Sequence, residues 1–166
     1  LRFLLQWSRA DFYNPLSQFL VRITQPALQP LRRFIPGWGG IDIAAIVLMI
    51  ILQIIALSLL MAIAGVTPRI DYLLLRTPAE LISLLLNVYL IAIVVRAILS
   101  WVSPNDYNPA TTVLLSLTEP VIRPFRAVLP DLGGIDLSPL AAILAIQVAK
   151  MLVLPPLDRI ASGLVM

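Results

Sequence analysis

The sequence of 166 residues is 60% apolar and only 13% charged, whereas soluble domains are about 45–50% apolar and about 25% charged. A core of this size cannot bury such an excess, so the composition excludes an ordinary soluble domain and indicates a membrane protein. The absence of cysteine and histidine excludes disulfides, thiolate or histidine metal sites and a Ser–His–Asp triad, and the net charge of +3 suits an anionic lipid surface.

The first half of the chain predicts one complete membrane-spanning helix. Residues 1–7 are apolar but far shorter than the about 20 helical residues that cross a bilayer. Residues 8–41 are rich in proline and mix apolar with basic side chains, and 16–23 within them predict a short amphipathic helix in the membrane interface. Residues 42–64 carry no charge after Asp42 and predict a spanning helix.

The second half of the chain shows the same order of segments. A short polar connection is predicted at 65–79 and a span at 80–101. An interfacial segment follows at 102–135, with a short amphipathic helix at 110–117. The last predicted segments are a span at 136–154, which Pro155 and Pro156 are expected to end, and a C-terminal tail at 155–166.

An internal duplication explains this repetition. An offset of 94 residues aligns residues 2–60 with residues 96–154 without a gap. The matched positions are rich in residue types that shape the backbone. The candidate structural and interaction residues are the matched pairs Arg2 and Arg96, Trp7 and Trp101, Asn14 and Asn108, Pro15 and Pro109, Gly39 and Gly133, Gly40 and Gly134, and Asp42 and Asp136, together with Thr118, Glu119, Pro120 and Pro124 of the second repeat. Further matched pairs include Thr24 and Thr118, Pro26 and Pro120, Pro30 and Pro124, Arg32 and Arg126, and Gln53 and Gln147.

Most of these residues have a structural interpretation. Thr24 and Thr118 are expected to cap short helices whose first turn holds the following proline. The paired glycines predict a tight turn, after which Asp42 and Asp136 are expected to cap the spanning helices at their positive ends. The duplicated residues therefore predict a loop that re-enters the membrane.

The duplication also predicts the architecture: an all-α membrane protein, a multi-span helical bundle built from two parallel repeats at 1–64 and 80–154. Each repeat consists of a span, an interfacial loop with a helix, and a second span. By comparison with the second repeat, residues 1–7 are expected to be the end of a first span that starts upstream of Leu1. Because each repeat then crosses the membrane an even number of times, both interfacial segments are expected on one face.

The second repeat carries motifs that resemble the YggT (YlmG) family of small integral membrane proteins. These motifs are RAILSW at 96–101, Asn108-Pro109, TEPVIRP at 118–124 including Glu119, and GGIDLSP at 133–139. The resemblance covers nearly the whole chain as two YggT repeats. The first repeat departs from it, with Gln25 in place of the glutamate and Ile43-Ala44-Ala45 in place of the Leu-Ser-Pro ending.

The resemblance implies a multi-pass protein of the bacterial inner (cytoplasmic) membrane with four spans. Members of the family are connected with osmotic and potassium tolerance in proteobacteria, with cell division in Gram-positive bacteria, and with cytochrome maturation or nucleoid partition in plastids. The resemblance implies no single biochemical activity and no cofactor.

Polar side chains inside the predicted spans have two interpretations each. Arg96 and Lys150 either extend to the interface along their aliphatic stems or contact an ion or substrate. Asn87, Gln53 and Gln147 either hydrogen-bond between helices or line a pore.

No enzymatic function is predicted, because the sequence has neither paired carboxylates at a spacing for acid–base chemistry nor a phosphate-binding loop. No catalytic, cofactor-binding or metal residue, no soluble small-molecule substrate and no nucleic-acid partner is therefore expected. The favoured hypothesis is a non-catalytic scaffold, assembly factor or accessory subunit that contacts the lipid bilayer and binds other integral membrane proteins or itself. The alternative is a channel or transporter subunit that supports potassium homeostasis and osmotic tolerance.

Overall fold

The computed structural model describes residues 1–37, 41–102, 108–129 and 136–162, and these residues form α-helices without a β-strand. The helices are α1 (Arg2–Trp7), α2 (Pro15–Phe34), α3 (Ile43–Ile63), α4 (Ile70–Val102), α5 (Pro109–Val128) and α6 (Ser138–Ser162).

Three helices are long and apolar enough to cross a membrane. The qualifying stretches are Ile43–Ile63 in α3, Ile70–Ser100 in α4 and Ser138–Ala161 in α6, with 21, 31 and 24 residues. Each meets the length of about 20 residues that a hydrocarbon core about 30 Å thick requires. The prediction of an all-α, multi-span helical bundle is confirmed.

Two of these helices extend beyond the ends predicted for them. Helix α4 begins at Ile70 rather than at residue 80 and passes through Pro78, so most of the predicted connection 65–79 is helical. Helix α6 continues through Pro155 and Pro156 to Ser162, so the expectation that these prolines end it is wrong.

The extensions pack against each other, which explains why the prolines do not end the helices. Arg76 of α4 forms an ion pair with Asp158 of α6, and its Nη2 atom lies 2.8 Å from the Glu80 carboxylate one turn further along α4. A proline inside a helix removes one backbone hydrogen bond and destabilises the helix locally. Contacts between the two extended ends offset this loss, and such contacts are not visible in a local sequence pattern.

The two proline-rich segments are also more helical than predicted. The short helices expected at 16–23 and 110–117 are only the first parts of α2 and α5, which have 20 residues each. Both helices contain two prolines four residues apart, and all of these prolines lie on the exposed side. The helical hydrogen bonds that these prolines remove are therefore lost on the exposed sides of α2 and α5 and not in the core.

The threonines of these helices are not N-caps, which corrects a second expectation. The Thr24 and Thr118 hydroxyls lie inside the helices and donate to the carbonyl oxygens of Leu20 and Leu114, at 2.7 and 2.8 Å. The N-caps are Asn14 and Asn108, whose side chains accept the backbone N–H groups of Leu16 and Thr111, each at 2.9 Å.

The repeats meet where α2 and α5 begin. The Asn14 side-chain amide donates to the Pro109 carbonyl oxygen at 2.8 Å, and α1 packs against α5. Helices α2 and α5 therefore start at the same end of the bundle, as expected for parallel repeats. Helix α4 occupies the centre and packs against α3, α5 and α6, with Ile93 and Ile122 fully buried between α4 and α5.

Candidate functional site

An arginine–carboxylate network in the second repeat joins the end of α4, the middle of α5 and the start of α6. Arg96 donates through Nη1 to the Thr118 hydroxyl at 2.8 Å and through Nη2 to the Glu119 carboxylate at 3.0 Å. Arg126 contacts the other Glu119 oxygen at 2.9 Å and the Asp136 carboxylate at 3.2 Å. Two positive and two negative groups alternate, so the charges of this network cancel.

The first repeat holds the corresponding network with one charge missing. Arg2 donates to the Thr24 hydroxyl at 3.0 Å and to the Gln25 side-chain oxygen at 3.2 Å. Arg32 forms an ion pair with Asp42. Because Gln25 is neutral where the second repeat has a glutamate, these groups carry a net positive charge.

The Arg96 guanidinium is held inside the protein rather than extended alone to the membrane interface. Its side chain is 12% exposed, and its hydrogen bonds go to residues of α5. Arginine suits this position because its planar, permanently charged group donates several hydrogen bonds in fixed directions. Arg96 and Arg2 thus fasten the interfacial helices to the preceding helices.

One of the two predicted caps is at an N-cap position: Asp42 is the N-cap of α3, whereas Asp136 lies two residues before α6 begins at Ser138. The Asp42 carboxylate accepts the Ala45 N–H at 3.2 Å, and the Asp136 carboxylate accepts the Ser138 N–H at 2.9 Å. Asp42 is 6% exposed, whereas the Asp136 side chain is 45% exposed. Burial alone would raise the pKa of Asp42, but hydrogen bonds from Arg32 and Ala45 outweigh burial and hold the pKa below its ordinary value.

This lowered pKa predicts a dependence of stability on acid. A carboxylate whose pKa is lower in the folded than in the unfolded state contributes stability above the unfolded value, and the contribution is lost as the pH falls through the folded value. Below about pH 4 we therefore expect the melting temperature of the protein in detergent to fall with pH, and to fall less steeply in Asp42→Asn. If the melting temperature changed with pH equally steeply in the natural protein and in Asp42→Asn between about pH 3 and 5, the acid dependence would not come from Asp42.

The other duplicated residues lie in different surroundings. Pro15 and Pro109 are the first residues of α2 and α5, and Trp7 at the end of α1 is exposed. Gly39, Gly40, Gly133 and Gly134 lie outside the described residues, so the predicted glycine turns stay predictions.

A polar contact between Lys150 and Asn87 links two of the spanning helices, and the sequence predicted only the part of Asn87 in it. The Lys150 ammonium group donates to the Asn87 side-chain oxygen at 2.7 Å and so links α6 to α4. Hydrogen bonding of Asn87 between helices is confirmed. The predicted span 136–154 places Lys150 four residues from its end, where the side chain could extend to the interface, but α6 continues to Ser162 and Lys150 is in its middle.

Two glutamines remain without such a contact. Gln53 lies in the middle of α3 and is half-buried, whereas its repeat mate Gln147 on α6 is exposed. Neither side chain hydrogen-bonds to any described residue. Within the described ranges no group of three or more acidic residues could hold a metal ion.

Arg32 and Arg126 are matched by the duplication, but their ion pairs with Asp42 and Asp136 were not predicted. Arg32 precedes Asp42 by the same number of residues as Arg126 precedes Asp136. A basic residue at a fixed distance from a duplicated aspartate would have indicated an ion pair between the end of each interfacial helix and the start of the next span.

The chain is similar to known proteins over most of its length. The family model described as CCB3/YggT matches residues 1–63 and 75–157. The chain is 49% identical over 156 residues to "Uncharacterized protein PA0392" of Pseudomonas aeruginosa, which covers 93% of this chain and 79% of that protein. It is 41% identical over 154 residues to "Uncharacterized protein YggT" of Escherichia coli K12, with 91% and 78% covered.

A more distant similarity extends to plastids. The chain is 41% identical over 65 residues to "YlmG homolog protein 2, chloroplastic" of Arabidopsis thaliana, which covers 37% of this chain and 24% of that protein. No solved structure matches the chain.

Proposed function

The chain belongs to the CCB3/YggT family, and we propose that it is a non-catalytic scaffold or assembly factor of the bacterial inner membrane. In this proposal it binds other integral membrane proteins through the outer faces of its spanning helices. The single observation that carries the proposal is the pair of repeat-matched amides, Gln53 and Gln147, which have no hydrogen-bond partner among the described residues.

The position of these amides makes a protein partner the natural explanation. Both lie in the middle parts of helices that are long and apolar enough to span a membrane. The middle of a bilayer offers no water to hydrogen-bond a polar side chain. A polar group without a partner there is costly, and amide side chains instead hydrogen-bond across helix pairs. Since Gln147 is exposed and Gln53 partly so, each amide is accessible to a helix of a second protein.

The charged groups in the bundle favour this function over conduction. Arg96, Glu119, Arg126 and Asp136 pair with one another, and Lys150 pairs with Asn87. An ion pathway needs polar groups that face a shared opening, and these groups are instead occupied by each other. The channel or transporter alternative is kept as one outcome of the test.

Gln53→Leu and Gln147→Leu are expected to release the partner without unfolding the chain. Each substitution removes an interhelical hydrogen bond, while leucine suits a lipid-facing position. The full-length protein, tagged and extracted from native membranes with mild detergent, should bring down a stoichiometric membrane protein that both variants lose. Leu52→Ala and Val148→Ala, at neighbouring exposed positions, are the matched controls and should keep it.

Two results would contradict the proposal. A partner retained by the double glutamine variant would show that the amides are not the docking sites. A homo-oligomer that conducts ions in a planar bilayer, with no second protein bound, would favour the channel.

A further inference from the structure

A cavity of about 310 Å³ lies in the first repeat between α1 and the start of α2. Its polar lining includes Arg2, Arg9 and Ser17, and its apolar lining includes Leu5, Phe12 and Val21. The volume falls at the lower end of the range of ligand sites, about 300–1,000 Å³. We propose that this cavity binds the phosphate-ester headgroup of an anionic phospholipid.

The side chains that line the cavity carry a positive charge that no carboxylate in the lining balances. Arg2 donates to the neutral acceptors Thr24 and Gln25, and neither Arg2 nor Arg9 forms an ion pair with a described residue. No acidic side chain lines the cavity, and Asp11, close to Arg9 in sequence, accepts the Tyr13 N–H outside it. Two guanidinium groups without carboxylates are the usual means of binding a phosphate, whose oxygens match their paired donors.

Ser17 supplies a second, independent indication of a ligand. Its side chain is 5% exposed, and its hydroxyl oxygen is the one buried side-chain polar atom in the described part of the chain that has no hydrogen-bond partner. The repeat mate Thr111 has a partner, because its hydroxyl hydrogen-bonds to Asn108 at 3.0 Å. An isolated buried hydroxyl is destabilising, and a phosphate oxygen in the cavity would accept its hydrogen bond.

The backbone at Arg9 is also unusual. Arg9 has φ of 52°, and it is the one described residue other than glycine with a positive φ. It follows α1 in a Schellman-type ending, in which the Arg9 N–H bonds to the Gln6 carbonyl and the Ala10 N–H to the Leu5 carbonyl, at 3.2 and 2.9 Å. Glycine is the usual residue there, so arginine introduces strain while bringing a cation to the cavity.

These features are confined to the first repeat. The residues that the duplication places opposite Gln25 and Arg9 are Glu119 and Ser103, so the second repeat has a carboxylate beside its arginine and lacks the second cation. In the second repeat Glu119 neutralises Arg96 directly. The first repeat thus keeps a positive charge that a carboxylate neutralises in the second repeat, and an anion bound in the cavity would balance that charge.

Gln25→Glu tests the site by restoring the charge pattern of the second repeat. The probe is short-chain phosphatidylglycerol, titrated into the full-length protein in neutral detergent while the melting temperature is followed. We expect a saturable rise in melting temperature for the natural protein. Gln25→Glu should raise the melting temperature without lipid and weaken the apparent affinity about tenfold to a hundredfold, as expected when one charge-assisted hydrogen bond is lost. Gln29→Glu, with the same charge change one turn away, should leave the affinity within about twofold.

Ser17→Ala separates ligand binding from structure. Removing an unpartnered buried hydroxyl should leave the melting temperature without lipid unchanged or higher, whereas the affinity for phosphatidylglycerol should fall several-fold. Arg9→Gly should likewise relieve the backbone strain and weaken binding.

Three outcomes would overturn the proposal. Equal shifts of the melting temperature with phosphatidylglycerol and with zwitterionic phosphatidylcholine would mean that the cavity does not recognise an anionic headgroup. If Gln25→Glu and Gln29→Glu weakened the affinity for phosphatidylglycerol equally, the overall charge of the protein, and not a site at Arg2, would explain the loss. Saturation by inorganic phosphate at the same concentration as phosphatidylglycerol would assign the cavity to a soluble anion instead of a lipid.

Discussion

Asn87→Leu is expected to lower the free energy of unfolding by about 2–3 kcal/mol, since it leaves the Lys150 ammonium group without an acceptor in the middle of a spanning helix. Lys150 donates to the Asn87 side-chain oxygen at 2.7 Å and is half-buried between α4 and α6. Leucine adds apolar contacts but has no hydrogen-bond acceptor for the Lys150 ammonium group. Chemical unfolding in detergent micelles or bicelles would measure the change.

Lys150→Leu, in contrast, should not lower the free energy of unfolding. It removes the charge itself and leaves only a neutral amide without its partner, so we expect no loss of stability or a small gain. The double variant Asn87→Leu with Lys150→Leu should then recover most of the stability that Asn87→Leu alone loses. The interaction free energy from this cycle should exceed about 1 kcal/mol. Additive effects of the two substitutions would show that the contact is not what holds Lys150 in place.

The spanning helices were predictable because their signal is local. A run of apolar residues such as 42–64 has no stable alternative to a helix in the membrane. Their ends were less predictable, since the rule that proline ends a helix considers only neighbouring residues. Pro78, Pro155 and Pro156 remain inside helices beside an ion pair between Arg76 and Asp158, and nothing near either residue in sequence signals that contact.

The arginine networks were predictable only where their residues are identical in the two repeats. The duplication marked Arg2, Arg96 and both duplicated aspartates, because residues that perform the same task in both repeats are identical. It could not mark Arg9 or Ser17, since these residues differ from their repeat mates. Departures from the repeat become informative only when the structure places them around one cavity.

The duplicated aspartates offer a comparison in which each repeat serves as the control for the other. Asp42→Ala removes an N-cap, worth about 1 kcal/mol, and also the ion pair of a nearly buried carboxylate with Arg32. Arg32 is 36% exposed and regains water, so we expect the ion pair to add only about 1 kcal/mol and the total loss to be about 2 kcal/mol.

Asp136→Ala should lower the free energy of unfolding by less than about 1 kcal/mol, because Asp136 precedes the N-cap position of α6 and accepts only the Ser138 N–H. Both Asp136 and its partner Arg126 are more than 40% exposed, so their ion pair contributes little. Asparagine variants isolate the charge, since asparagine caps helices as well as aspartate does. Asp42→Asn should therefore keep its cap and lose about 1 kcal/mol, whereas Asp136→Asn should be close to neutral. If the two asparagine variants melted at the same temperature, the burial of Asp42 would add nothing to its ion pair, and the two networks would be equivalent despite their different charges.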